Sequence, residues 1–200
     1  MMREKILLAT TNEGKRAEFA ELLSCCFARV DALPHGFVMP EETGATFLDN
    51  ARIKACAVAR ETGRLTLADD SGLVIDALGG EPGVRSARYA GDGATDEANR
   101  LLVLERMKSV LQKERTARFV CALVLVDPHG QMIEAEGECS GFILDHPKGE
   151  RGFGYDSLFW FPAWEMTFAE VSREKKASVS HRARALQSLI KKMEHMQNER

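Results

Sequence analysis

The chain has 200 residues, 44% of them hydrophobic, and its 27 basic and 30 acidic residues leave a formal net charge of −3. This length and composition suit a single domain with a sizeable core, because two independent domains would each be small. A charge so close to balance argues against a large basic surface for duplex nucleic acid or an anionic membrane. We therefore expect one domain over residues 1–200 that binds neither nucleic acid nor a membrane.

The five cysteines indicate a reducing compartment. Their number is odd and no CxxC pair occurs. Cys25 and Cys26 are chain neighbours, which rarely bridge each other, and Cys121 lies in an apolar run where a cysteine behaves as a small hydrophobic residue. The apolar run at 6–9 is too short for the core of a signal peptide, and no segment approaches the length of a membrane span. We expect a soluble, cytoplasmic protein.

Strands and helices alternate through the first half of the chain, and a hairpin follows in the second half. Hydrophobic periodicity and turn residues predict where each element lies. In chain order these are a strand at 5–10, a helix whose apolar positions are Phe19, Leu22, Leu23 and Cys26, a strand at 28–33, a helix at 46–61, strands at 65–68 and 73–78, a helix at 96–113, strands at 118–126, 131–144 and 158–161, and a helix at 180–196. This order predicts an α/β fold with a mixed central β-sheet flanked by helices.

Capping and periodic residues support three of these helices. Thr46 and Asp49 open the second helix with a pattern like a capping box, and Thr167-Phe-Ala-Glu170 has the full capping-box pattern. Apolar side chains at helical spacing define one face of each of the two later helices. These faces consist of Leu101, Leu104, Met107 and Leu111 in the helix at 96–113, and of Ala183, Leu186, Ile190 and Met193 in the last helix.

The segment Thr10-Thr-Asn-Glu-Gly-Lys15 lies between the first strand and the first helix. Hydroxyl groups, an amide, the N–H groups at a helix start and a lysine are suited to binding a phosphate group. The segment is not a P-loop, because it lacks the upstream glycine and Arg16 follows the lysine. A capped helix start with a solvated lysine explains the same residues.

Acidic pairs occur at two places, Glu41-Glu42 in a loop and Asp69-Asp70 at the predicted end of a strand. Ligands of α/β proteins usually bind at the carboxyl ends of strands. Carboxylates without histidine or cysteine partners suit Mg²⁺, which binds through one or two carboxylates together with substrate phosphates. A solvated loop and an Asx-type turn are the alternative explanations.

A third polar region lies near the C-terminus. Gly152-Phe-Gly-Tyr-Asp156 offers a flexible backbone, two aromatic rings that could stack on a base, and a carboxylate. The basic residues Lys175, Lys176, His181 and Arg182 follow. These residues also have structural explanations. The glycines would form a turn, and the aromatic rings would pack at the sheet edge. Lys175 and Lys176 would be solvated charges, and His181 and Arg182 would lie on a surface helix. Together, however, the three regions provide a phosphate site, a magnesium site and a base pocket, which are the parts of a nucleotide site.

Eight short motifs occur in order along the chain. They are Thr10-Thr-Asn-Glu-Gly-Lys15, Glu41-Glu-Thr-Gly44, Asn50-Ala-Arg-Ile-Lys54, Ala68-Asp-Asp-Ser-Gly72, Gly79-Gly-Glu-Pro-Gly83, Ser86-Ala-Arg-Tyr89, Gly152-Phe-Gly-Tyr-Asp156 and Ser180-His-Arg182. In type and order they resemble the motifs of the inosine triphosphate pyrophosphatase family, which clears deaminated purine nucleoside triphosphates. The resemblance extends from about Ile6 to Leu189. Any one motif is weak, whereas eight in order are specific.

The resemblance implies a fold and a set of site residues. The family has a long central sheet, two lobes with the active-site cleft between them, and a homodimer. Substrate-binding residues would be Thr10, Thr11, Asn12, Glu13, Gly14, Lys15, Lys54, Ser71, Phe153, Gly154, Tyr155, Asp156, Lys176, His181 and Arg182. Glu41 and Asp70 would bind Mg²⁺, with Glu42 as an alternative to Glu41.

The implied reaction is attack of water on the α-phosphorus of dITP, ITP or XTP, which releases the monophosphate and pyrophosphate. Mg²⁺ and Lys15 would neutralise phosphate charge, and a carboxylate would take the proton of the water. Asp70 matches the catalytic position, with Asp69 beside it, and the sequence leaves the roles of ligand and base open between them. Lys176 and Arg182 would donate hydrogen bonds to a 6-oxo group and so reject adenine.

Two departures from the family pattern flank the base loop, Ser157 in place of the usual proline and Arg151 where glycine is common. Two other functions also fit the residues. One is a Maf-type pyrophosphatase that acts on modified pyrimidine or methylated nucleotides. The other is a nucleotide-binding module without activity, in which the carboxylates only hold magnesium.

Overall fold

A computed structural model describes residues 2–24 and 26–198 of the chain. It contains seven strands and five α-helices, in the order β1 (Met2–Leu8), α1 (Glu13–Leu23), β2 (Phe27–Ala32), α2 (Phe47–Thr62), β3 (Thr66–Ile75), α3 (Asp96–Arg106), β4 (Thr116–Val126), β5 (Met132–Ile143), β6 (Phe159–Phe161), β7 (Met166–Thr167), α4 (Arg173–Ala177) and α5 (His181–Asn198). None of the four described cysteines forms a disulfide, and the prediction about Cys25 lies outside the described residues. No described helix is long and apolar enough to cross a bilayer.

The strands form one mixed sheet in the order β2-β1-β3-β4-β5-β6-β7. Strand β1 is parallel to both β2 and β3, whereas β6 is antiparallel to β5 and to β7. Strands β4 and β5 are joined by a turn, in which the Asp127 N–H donates to the carbonyl of Gln131. The predicted α/β fold with a mixed sheet is confirmed.

The chain divides into two compact units, each assembled from separate stretches of sequence. Unit 1 comprises Met1–Asp70, Cys121–Gly137 and Arg182–Arg200. Unit 2 comprises Ser71–Val120 and Glu138–His181.

Unit 1 has an apolar core on each face of its strands. Alternate residues of a strand point to opposite faces, so in β1 Ile6 and Leu8 join a core with helices α1 and α5. On the other face, Leu7 packs into a second core with Ala55 and Val58 of α2. A helix layer therefore covers each face of the strands of unit 1, and residues of a strand that are neighbours in sequence face different helices.

Unit 2 has a single aromatic-rich core. Phe119, Phe159 and Phe168 lie together, with ring centroids 4.6 Å apart for Phe119 and Phe159 and 4.9 Å apart for Phe159 and Phe168. Val103 and Met107, from α3 and the residue after it, are buried in the same core.

Three predicted elements were wrong. Residues 65–68 and 73–78 are not separate strands, because β3 runs without a break from Thr66 to Ile75. Helix α3 ends at Arg106 rather than near 113. Leu101 and Leu111, predicted to face the core, are 58% and 59% exposed. The buried stripe runs instead through Asn99, Val103 and Met107, at a spacing of four residues.

The capping predictions had mixed outcomes. Thr46 is the N-cap of α2, and its hydroxyl accepts from the Asp49 N–H at 3.1 Å, as predicted. The carboxylate of Glu170 accepts from the Thr167 N–H at 2.7 Å, which is one half of a capping box. That turn does not continue as a helix, since helix α4 begins later, behind the N-cap Ser172. The predicted last helix and its buried residues Ala183, Leu186 and Met193 are confirmed.

Candidate active site

The predicted phosphate segment in unit 1 is a capped helix start whose lysine points to a carboxylate. Asn12 caps α1, with its side-chain oxygen 2.9 Å from the Lys15 backbone nitrogen. The hydroxyl of Thr10 accepts from the Asn12 N–H at 3.2 Å. Lys15 Nζ lies 3.0 Å from Asp69 Oδ2, and its side chain is 14% exposed. The alternative of a solvated lysine is therefore wrong, while Thr11 and Glu13 are exposed and Gly14 is half-buried.

Asp69 and Asp70 lie inside β3, not at its end, and not in an Asx turn. Alternation along the strand sends them to opposite faces. Asp69 follows Leu67 on the face covered by α1 and α5, and Asp70 follows Ala68 on the face covered by α2. The two adjacent carboxylates therefore have different partners.

Asp70 is held through both of its carboxylate oxygens. Lys54 Nζ lies 3.1 Å from Asp70 Oδ1, and the amide nitrogen of Asn50 donates to Asp70 Oδ2 at 3.2 Å. The same Lys54 Nζ lies 2.7 Å from Glu42 Oε1. Asn50 also accepts from the Gly44 N–H at 2.7 Å, which ties the acidic loop to α2.

The structure separates the two glutamates of the acidic loop. Glu42 is half-buried and shares Lys54 with Asp70, whereas the adjacent Glu41 is exposed. The glutamate that shares a lysine with Asp70 is therefore Glu42, which the sequence analysis gave as the alternative to Glu41.

The guanidinium group of Arg182 lies between the carboxylates of Glu18 and Asp69. Its Nη1 donates to Glu18 Oε2 at 2.8 Å, and its Nε lies 3.8 Å from Asp69 Oδ2. Arg182 is 4% exposed and Glu18 is 7% exposed. Lys15, Asp69, Arg182 and Glu18 thus form a chain of alternating charges on the α1 and α5 face of β3, in which all but Lys15 are buried.

The two aspartates differ in acidity. Burial alone would raise the pKa of Asp69, but the charges of Lys15, Arg182 and Lys54 outweigh it and lower the pKa to about 2. Burial raises the pKa of Asp70, with Glu42 and Asp69 adding to the rise against the opposing effect of Lys54. Asp69 is therefore a permanently charged partner of cations, and Asp70 is the better proton acceptor of the two.

In unit 2, the predicted base loop is organised around Asp156. Its Oδ2 accepts from the Phe153 N–H at 3.1 Å and lies 2.5 Å from Lys176 Nζ. The same Nζ lies 5.3 Å from the centre of the Phe153 ring, a cation–π distance. Gly152 has φ +76°, and a Cβ there would approach Asp156 Oδ2 to 2.1 Å, so the loop requires glycine at this position.

The remaining predicted residues of unit 2 have varied surroundings. Tyr155 is 4% exposed, belongs to the aromatic-rich core and donates its hydroxyl to the Ser86 carbonyl at 2.8 Å. Any stacking on a base therefore falls to Phe153, which is half-buried. His181 is 1% exposed and stacks on Phe119 at 4.8 Å. Ser71 is half-buried in β3.

The two departures from the family pattern cause no break in the loop. The Arg151 N–H donates to the Ala169 carbonyl at 3.1 Å, and the Ser157 carbonyl accepts from the Lys148 N–H at 2.9 Å. Backbone hydrogen bonds therefore hold both flanks of the loop, and the side chains of Arg151 and Ser157 take no part in them.

Comparison with known proteins decides the family. A model of the Ham1 family matches residues 6–192. The chain belongs to the Ham1 family. A protein named dITP/XTP pyrophosphatase from Desulforamulus reducens is 50% identical over 188 residues, which cover 93% of this chain and 94% of that protein. Its namesake in Haemophilus ducreyi is 46% identical over 96% of this chain and 100% of its own length.

Solved Ham1 structures have the same fold. A Ham1 protein from Coxiella burnetii has a TM-score of 0.84 at 39% identity, covering 97% of this chain and 100% of its own. The Ham1 protein of Staphylococcus aureus has a TM-score of 0.83 at 38% identity, covering 96% and 100%. The predicted family resemblance is confirmed.

Asn50 and Glu18 are buried polar residues of this Ham1 chain that were not among the predicted site residues. Asn50 is fully buried and bridges Asp70 to the acidic loop, and Glu18 holds Arg182. A signal for Asn50 exists in the sequence, because Asn50 and Lys54 are four residues apart and lie on one face of a helix. No comparable signal exists for Glu18, whose partner is 164 residues away.

Replacing Asn50 with Ala should destabilise the protein, because Asp70 Oδ2 and the Gly44 N–H both lose a buried partner. We expect a loss of about 1–3 kcal/mol in the free energy of unfolding, measured with urea. Glu61→Ala, at an exposed position of the same helix, is the control and should change stability by less than about 0.5 kcal/mol. Equal stabilities for Asn50→Ala and Glu61→Ala would remove the bridging role of Asn50.

Proposed function

We propose that the protein hydrolyses non-standard purine nucleoside triphosphates, namely dITP, ITP and XTP, to the monophosphate and pyrophosphate. The observation that carries the proposal is the cluster in unit 1, where Lys15 and Lys54 contact Asp69 and Asp70 on the two faces of β3. Relatives named dITP/XTP pyrophosphatase support the substrate class, since they match nearly the whole chain at up to 50% identity.

The cluster fits a hard cation such as Mg²⁺. Glu42 and Asp70 already share one cation, the ammonium group of Lys54. Among the described residues no three His, Cys, Asp or Glu side chains together form a metal site, and Mg²⁺ typically needs only one or two carboxylates beside substrate phosphates. Of the predicted ligands Glu41 and Asp70, with Glu42 as the alternative, we propose Asp70 with Glu42, because these two carboxylates converge.

Different residues of unit 1 bind the triphosphate, balance its charge and take the proton of the attacking water. Mg²⁺, when bound, would supply positive charge to the phosphate oxygens. Thr10, Asn12 and the N–H groups at the start of α1 bind the phosphate chain, and Lys15 and Lys54 balance its charge. Asp70, which Lys54 and Asn50 hold in place, takes the proton of the water that attacks the α-phosphorus. Asp69 stays charged and orients Lys15.

The predicted loop in unit 2 recognises the base. The ring of Phe153 offers a stacking surface, and Lys176, held by Asp156, donates a hydrogen bond to a 6-oxo group. Arg182 was predicted as a second donor, and its contact with Glu18 fixes its guanidinium group. We also propose a homodimer and a cytoplasmic location, which rest on the family resemblance and the cysteine content.

The proposal is tested by measuring pyrophosphate release over a panel of triphosphates. We expect dITP, ITP and XTP to be hydrolysed far faster than ATP or a modified UTP. Preference for the modified UTP would favour a Maf-type enzyme, and binding without pyrophosphate release would favour a module without activity.

Metal removal is expected to abolish activity. EDTA should stop pyrophosphate release from dITP, because the cluster lacks the charge to neutralise a triphosphate by itself. Excess Mg²⁺ should restore the rate, whereas Zn²⁺ should not be required, since no Cys–His spacing for zinc occurs. Full turnover in a chelated, metal-free buffer would contradict the magnesium assignment.

A further inference from the structure

Two side chains of α3 hold both backbone groups of one residue in the base loop. The carboxylate Oδ2 of Asp96 accepts from the Gly154 N–H at 2.6 Å. Four residues later on the same helix, Arg100 Nη1 donates to the Gly154 carbonyl at 2.8 Å. Residues four apart lie on one face of a helix, so both side chains reach the same peptide segment. We call this pair the Gly154 clamp.

The clamped residue is conformationally soft by itself. Gly154 has φ +59°, in the left-handed region, and a glycine adopts positive and negative φ with similar ease. Hydrogen bonds in which one partner is ionised are stronger than neutral ones. The clamp therefore favours one backbone conformation of Gly154, which has no strong conformational preference of its own.

Gly154 immediately follows Phe153, so the clamp also affects that ring. The Phe153 N–H is fixed by Asp156, and the peptide after Phe153 is fixed by Asp96. The ring is thus restrained on both sides, at 5.3 Å from Lys176 Nζ. Without the clamp, rotation at Gly154 would let the peptide on one side of Phe153 move.

We propose that Asp96 and Arg100 are positioning residues for base selection, acting through Gly154 on Phe153 and Lys176. This inference rests on the proposed function. Both hydrogen bonds of the clamp go to Gly154 in the base loop, so its loss should weaken recognition of the base and leave recognition of the phosphates unchanged. Neither residue belongs to the eight motifs that carry the family resemblance.

The experiment compares a substrate that has a base with a ligand that has none. Asp96→Ala and Arg100→Met should each raise KM for dITP about tenfold, as expected for the loss of a hydrogen bond to a charged group. The value of kcat should change by less than about threefold, since no group that contacts the reacting atoms is altered. The inhibition constant of inorganic tripolyphosphate, which lacks a base, should stay as in the wild type.

Conservative variants and a matched control complete the design. Asp96→Asn retains an acceptor oxygen and Arg100→Lys retains a donor, so both should recover most of the wild-type KM. Glu97→Ala removes a neighbouring acidic residue from the same first helical turn and should behave as the wild type.

Three results would overturn the inference. The first is an unchanged KM for dITP in Asp96→Ala and Arg100→Met. The second is a parallel rise of the tripolyphosphate inhibition constant, which would indicate general damage to the fold. The third is a wild-type protein that releases no pyrophosphate from any triphosphate, in which case the proposed function fails as well.

Discussion

Asp70→Asn should reduce kcat for dITP hydrolysis by about 10²–10⁴, the usual effect of losing a general base. The substitution is nearly isosteric but removes both the charge and the basicity. It also turns an amide N–H₂ toward either Lys54 or Asn50, which are donors themselves, so some loss of stability is expected. Pyrophosphate release gives kcat and KM, and circular dichroism with urea unfolding reports on the fold.

The neighbouring residue provides the matched control. Asp69→Asn changes the same group one position away, on the opposite face of β3, where Lys15 and Arg182 lie. It leaves two cations underpaired, so we expect lower stability and a higher KM, with a smaller effect on kcat. Wild-type kcat in a folded Asp70→Asn enzyme would remove Asp70 as the base, and a larger kcat loss in Asp69→Asn would assign that role to Asp69.

Hydrolysis of ITP and XTP should exceed that of ATP by about 10²-fold or more in kcat/KM, because a buried donor facing a 6-amino group loses its partner. Lysine and arginine donate hydrogen bonds and cannot accept them. GTP belongs in the comparison, since guanine shares the 6-oxo group and must be rejected through its 2-amino group. Steady-state kinetics on ITP, XTP, GTP and ATP test this expectation.

Glutamine substitutions identify which donor reads the base. Glutamine can accept as well as donate, so Lys176→Gln and Arg182→Gln should each lower the ITP/ATP ratio while the magnesium dependence stays unchanged. Each also deprives a buried carboxylate of its cation, Asp156 in one case and Glu18 in the other. Asp156→Asn combined with Lys176→Gln, and Glu18→Gln with Arg182→Gln, remove both charges of a pair and control for that loss. An unchanged ITP/ATP ratio in a folded variant would exclude that residue from base reading.

Local patterns in the sequence predicted most of the elements. Alternating strands and helices predicted the mixed α/β sheet, and the Thr46 cap and the buried face of α5 are as predicted. Such signals depend on residues a few positions apart, so the sequence shows them directly. The length of α3 could not be predicted in this way, because apolar residues at helical spacing continue past the point where the helix ends.

The division of roles within the site depended on the tertiary structure. Asp69 and Asp70 are adjacent in sequence, and only their place inside an extended strand sends them to opposite faces and to different lysines. Likewise, Tyr155 is buried in the core of unit 2, where its hydroxyl donates to the carbonyl of Ser86, 69 residues away. The sequence alone determined which chemical groups are present. Their burial, partners and pKa values arise from contacts between distant segments, which no local pattern encodes.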